Sequence, residues 1–133
     1  MHVALPLQKR LSATALMVAA TAAATAALAQ PPAPATPPAD FAVCGACHEN
    51  TAKAQPSVGP NLFNIGGRKA GTAADYDYSP AMKSSGTTWN ADTLQAFILD
   101  PAKAVPGNKM DFPGAPDAAS AKAIADYLMT LKG

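Results

Sequence analysis

Towards the C-terminus, Ala121, Ile124, Ala125, Leu128 and Leu131 fall on one face of a 3.6-residue repeat, with Asp117 placed to cap the start and Lys132 and Gly133 at the end. This spacing predicts the longest helix of the chain. A second is predicted where Leu94, Phe97 and Ile98 stand at i, i+3 and i+4 behind a cap at Asn90 or Thr88. Asp100-Pro101 ends it, because the residue before a proline avoids helical backbone angles. A third, shorter helix is read from Ser79 as cap, Pro80 at the first helical position and Gly86 as the stop. A further helical turn is expected within Ala39 to His48. No stretch after Ala39 alternates long enough for a strand, and residues 55–77 and 101–116, rich in Gly, Pro and Asn, are expected to be irregular. The pattern is that of an all-α domain with long ordered loops, which wants one large apolar object to pack around.

The N-terminal pattern is of another kind. Lys9 and Arg10 precede an apolar run from Leu11 to Ala29 that closes on Ala27-Leu28-Ala29. Basic region, apolar region and small-residue cleavage site together read as an export signal over 1–29, with a retained membrane anchor as the alternative. Residues 30–38 carry five prolines and read as an extended spacer, leaving 39–133 as the folded domain. The formal charge is +1, or about −1 once Lys9 and Arg10 are removed, which excludes a polybasic nucleic-acid binder. A domain this small has a thin core and needs help from a cofactor, metal or disulfide. Its two cysteines lie only three positions apart, so long-range disulfides cannot supply that help.

Those cysteines belong to Cys44-Gly45-Ala46-Cys47-His48, the C-x-x-C-H signature of covalent haem attachment. On a helical turn the two thiols reach the two vinyl groups of one haem, and the following imidazole points at the iron. A redox dithiol would need a preceding strand and a βαβ setting, and a structural zinc site would need further ligands. Beyond residue 29 the chain has no other Cys or His. With His48 as the first axial ligand, the other could come from Met82, Met110 or Met129. Met129 lies beside Leu128 in the last helix, where core filling is expected, and Met82 lies on a short helix. Met110 sits in Pro106-Gly107-Asn108-Lys109-Met110, a loop able to turn a thioether inward.

Several motifs stand in order beyond Cys44–His48: Gly59-Pro60-Asn61-Leu62, Gly67-Arg68-Lys69-Ala70-Gly71, Tyr76 to Ala81, Trp89, and Pro106 to Gly114. With them, residues 39–133 resemble a class I c-type cytochrome of the mitochondrial-like, bacterial soluble kind. The resemblance implies a small cytochrome c fold around one haem c attached through Cys44 and Cys47, with His48 and Met110 as iron ligands. It also implies that the Pro60 carbonyl accepts the other imidazole N–H, that Arg68, Tyr78 and Trp89 surround the haem propionates, and that Asn108 belongs to the cofactor-binding set.

Three departures from the family pattern stand out. Only five residues separate Pro38 from Cys44, so the N-terminal helix is short, and Phe41 is expected against Tyr127 and Leu128. Phe97 stands where mitochondrial members usually carry Tyr, and Met82 where many carry Asn, which predicts a more apolar distal pocket. The lysine collar is thin: Lys83, Lys103 and Lys109 are offset by Asp100 and Asp111.

The function implied is one-electron transfer by Fe(II)/Fe(III) cycling between periplasmic or membrane-bound redox proteins, by a monomer with no small-molecule substrate. The competing classes are a haem relay subunit of a larger dehydrogenase or oxidase, and a small haem peroxidase or gas sensor with an open sixth site.

Overall fold

The computed structural model describes residues 35–133; the expected signal over 1–29 and most of the proline-rich spacer lie outside the described residues. Five helices follow in order: α1 (Phe41–Gly45), α2 (Pro80–Ser84), α3 (Ala91–Leu99), α4 (Pro101–Ala104) and α5 (Ala118–Thr130). Among the described residues there is no strand beyond an isolated antiparallel bridge between Lys69 and Thr88, and no helix is long and apolar enough to cross a membrane.

The caps sit where side-chain oxygens can take up orphaned helix N–H groups. Ser79 accepts from Met82 N–H with Pro80 following it, Asn90 and Thr93 form a reciprocal capping box, and Asp117 accepts from Ser120 N–H. The helix α2 stops at Ser84, and Gly86 turns the chain at a positive φ of 69°.

One expectation is corrected. Residues 101–116 are not wholly irregular, because Asp100 both ends α3 and caps α4, accepting from Lys103 N–H at 3.0 Å. Asp-Pro forbids continuation of one helix, yet it is also a good cap and first residue for the next.

The core lies between α3 and α5, where Leu94, Phe97 and Ile98 are buried with Ala121, Ile124, Ala125 and Leu128. Short α1 still reaches this core: the Phe41 ring meets Tyr127 edge-on, 4.8 Å between centroids, and Asp40 accepts from the Ser120 hydroxyl. The loops are held by their own backbone. Leu62 N–H donates to Glu49, Asn64 N–H to Leu131, Gly67 N–H to Trp89 and Trp89 N–H to Arg68, which ties residues 60–89 to the segment after α1, to the C-terminal end of α5 and to themselves.

Candidate functional site

All nine residues singled out from the sequence line one cavity of about 400 Å³: Cys44, Cys47, His48, Pro60, Arg68, Tyr78, Trp89, Asn108 and Met110. They arrive on separate elements. The turn of α1 brings the cysteines, with His48 N–H donating to the Cys44 carbonyl at 2.9 Å. The loop through Pro60 supplies the opposite side of the imidazole, 2.8 Å from Nδ1 to the Pro60 oxygen. A carbonyl only accepts, so Nδ1 carries the proton and Nε2 keeps its lone pair for a metal. Burial holds the His48 imidazole below its usual pKa, the Pro60 contact partly opposing, and the neutral ring is the ligating form.

Gly59 makes this packing possible. Any Cβ there would clash with the His48 ring, most closely with Cε1 and at 2.6 Å from Nδ1, and the Gly59 N–H donates to the Cys47 carbonyl at 2.7 Å. The cysteines are not joined in a disulfide. Burial, as the main cause, raises the Cys44 thiol, with Cys47 adding to it against a backbone contact that lowers it. A redox dithiol is built with the opposite, lowered pKa and after a strand. No group of three or more His, Cys, Asp or Glu side chains gathers for a metal ion among the described residues.

Met110 lines the same cavity from a pinned loop. Asn108 donates through its amide to the carbonyls of Pro101 and Val105, at 2.9 and 3.0 Å, while its side-chain oxygen accepts from Met110 N–H at 2.9 Å. Its polar atoms are thus engaged with the backbone, and it acts on the site by positioning Met110. Gly107, at a φ of +85°, makes the turn before it. Of the other methionines, Met82 is buried and lines the cavity, whereas Met129 packs beside Gly66. Phe97 also lines the cavity, its ring 5.2 Å from Trp89, so both departures place an apolar side chain in the lining.

Arg68 is half-buried and donates to the carbonyls of Phe63 and Asn61, at 3.2 and 3.0 Å. No carboxylate pairs with it among the described residues, and burial lowers its pKa, with Tyr78 partly opposing. Tyr78 faces the same cavity, its phenol raised chiefly by burial and lowered in part by Arg68. A cation in a half-buried site without an anionic partner, a phenol, and an indole with no hydrogen-bond partner among the described residues suit the carboxylates of a haem. The donor set fits that group at its other end too, with two thiols, an available imidazole nitrogen and a thioether.

Sequence reasoning placed Tyr76 in a motif but gave it no role at the site; it donates from its hydroxyl to the Val58 carbonyl at 3.2 Å and stacks edge-on with Tyr78 at 4.9 Å. Sequence reasoning missed Val43, Val58, Ile65 and Phe112 in the lining. Only Tyr76 carried a signal, as an aromatic two places from Tyr78 in a loop.

No family model matches the chain. Individual proteins do. The chain is 43% identical over 95 residues to cytochrome c2 iso-2 of Magnetospirillum molischianum, spanning 71% of the chain and 97% of that protein. It is 45% identical over 92 residues to cytochrome c2 of Rhodoblastus acidophilus, spanning 69% and 86%. Among solved structures, cytochrome cH from Methylobacterium extorquens matches with a TM-score of 0.63 and 44% identity, over 68% of this chain and 90% of that one. With the cavity and its donors, these likenesses establish that the chain belongs to the bacterial class I monohaem c-type cytochromes, electron carriers rather than enzymes, with one covalent haem c at the Cys44–Cys47 motif.

Proposed function

We propose that His48 and Met110 are the two axial iron ligands and that the protein carries single electrons in the periplasm, as a monomer, between membrane-bound or periplasmic redox proteins. The observation that carries this reading is the pairing of an available His48 Nε2 with a pinned Met110 in one cavity. The export pattern at 1–29 supports the location. When bound, the haem supplies an Fe(II)/Fe(III) couple whose potential is raised by thioether ligation.

The chain's own residues do the rest. Cys44 and Cys47 hold the group by thioether bonds, so it stays in place through fluctuations of a small domain. Pro60 fixes the plane and tautomer of His48, and Asn108 keeps Met110 at the distal wall. Leu94, Phe97, Ile98 and Met82 exclude water from that wall, while Arg68, Tyr78 and Trp89 take the anionic edge. With His48 and Met110 both held toward it, the bound group would have no free position for a substrate.

The test is the optical spectrum of the exported protein. A weak far-red thioether-to-ferric band is expected in the native protein and in Met82→Leu, and is expected to vanish in Met110→Ala. A band lost in Met82→Leu but kept in Met110→Ala would reassign the ligand.

A further inference from the structure

We infer that this carrier docks through an apolar, electrically neutral mouth, and that its partner is a redox protein presenting an uncharged, apolar patch of its own. The inference rests on the carrier reading above. The residues that both line the cavity and are exposed mark where it opens: Val43, Ala46, Val58, Lys109 and Asp111. Three are apolar, and the single lysine and single aspartate cancel. Val43 is 60% exposed and Val58 72%, by far the most exposed large hydrophobic residues described.

These valines are held in place. Val43 stands on α1 immediately before Cys44. Val58 precedes Gly59, whose N–H is bound to the Cys47 carbonyl, and its own carbonyl accepts from Tyr76. Two exposed β-branched residues on hydrogen-bonded backbone therefore stand beside the haem-attachment motif. Lys109 is further occupied by the Tyr76 ring, 4.8 Å from ammonium to centroid, and Lys83 by Asp77.

Charge complementarity decides the partner's chemistry. An acidic docking patch would meet, among these five residues, only a cancelled pair whose desolvation is unfavourable. An apolar patch would cover both valines and leave Lys109 and Asp111 at the wet rim. Encounter then owes little to steering, so its rate depends only weakly on salt.

The experiment uses the exported, haem-loaded full chain. Its reduced form is mixed with hexacyanoferrate(III), an anion, or tris(phenanthroline)cobalt(III), a cation, each taking one electron from it, at low and high ionic strength. Both rate constants are expected to change by less than about twofold; an anion rate falling about tenfold with salt would reveal a basic mouth and overturn the inference. In Val43→Lys/Val58→Lys the anion reaction is expected to become faster and salt-sensitive, and an unchanged rate would place electron exit elsewhere, against it.

Oxidation by membranes of the organism that encodes the chain supplies the protein partner. About a fivefold slowing is expected in Val43→Thr/Val58→Thr at all salt concentrations, compared at equal driving force after the potential of the variant has been measured. No slowing overturns the inference, as does concentration-dependent dimerisation abolished by the same variant, which would make a second copy the occupant. A chain that takes up no haem would instead defeat the carrier reading itself.

Discussion

Glycine at position 59 is set by a ring rather than by a backbone angle. The His48 imidazole fills the space where any Cβ would go, and the Pro60 carbonyl beyond it fixes which ring nitrogen carries the proton. Gly59→Ala must therefore push the ring off Pro60 or the loop off Cys47. The expected cost is about 1–3 kcal/mol of stability, with reduced haem attachment, read by chemical denaturation and holoprotein yield. Gly45 is the control, since a Cβ there meets nothing within 4 Å and Gly45→Ala should be close to neutral. Asn108 poses the complementary question on the distal side. Its amide and oxygen tie Pro101, Val105 and Met110 together, so Asn108→Ala frees the loop that presents the thioether. Loss of about 1–3 kcal/mol is expected, together with a far-red band that disappears well below the variant's own global unfolding temperature. A purely structural role would lower stability and leave the temperature dependence of the band tracking global unfolding.

Helix α2 shows how an element of five residues is kept in place. Ser79 caps it, and Lys83 in its last turn pairs at 3.1 Å with Asp77 in the preceding loop. The hydrogen bond and charge of Lys83, with Lys109 adding to them, hold the Asp77 carboxyl below its ordinary value. A carboxylate whose folded pKa is depressed contributes stability above its unfolded pKa, near 3.8, and loses it as pH falls through the folded value. The acid limb of a stability–pH curve should accordingly be shallower in Asp77→Asn, with no difference in slope above pH 5; an unchanged acid limb would show that the pair contributes nothing. The pair is exposed, so the effect is small and shrinks in salt. Helices α2, α3 and α5 were legible in the sequence because each carries a cap, and α3 and α5 carry in addition a stripe at helical spacing. Helix α4 was not, since four residues show no periodicity and Asp100-Pro101 reads equally as an end and a beginning. Cys44–His48 was legible because its spacing is local. Tyr76 and Val58 were not, since they meet through a hydrogen bond between two irregular segments, and such long-range loop contacts leave no periodic trace.

At the scale of the whole molecule, one helix pair, α3 with α5, makes the protein's main helix–helix contact, and much of the remaining burial faces the cavity. Leu62, Ile65, Met82 and Trp89 come from the loops and short helix between residues 60 and 89, and all four line it. Their packing is thus conditional on what stands at the centre. A domain of this size has about 5–15 kcal/mol of stability in total. Leaving a cavity of about 400 Å³ in such a core costs on the order of 10 kcal/mol at about 24 cal/mol per Å³, a figure that water entering at the open mouth reduces. The two quantities are comparable, so the chain without haem is expected to lose its cooperative fold. Cys44→Ala/Cys47→Ala, exported and freed of haem, should show weak helical circular dichroism and a broad, non-cooperative denaturant response. The segment Ala91–Thr130 should keep more residual helix than residues 60–89, because its caps and apolar stripes are local. Native helix content with a sharp transition in the haem-free chain would mean that the α3–α5 core stands on its own, and that the loops close over the cavity for reasons other than the cofactor.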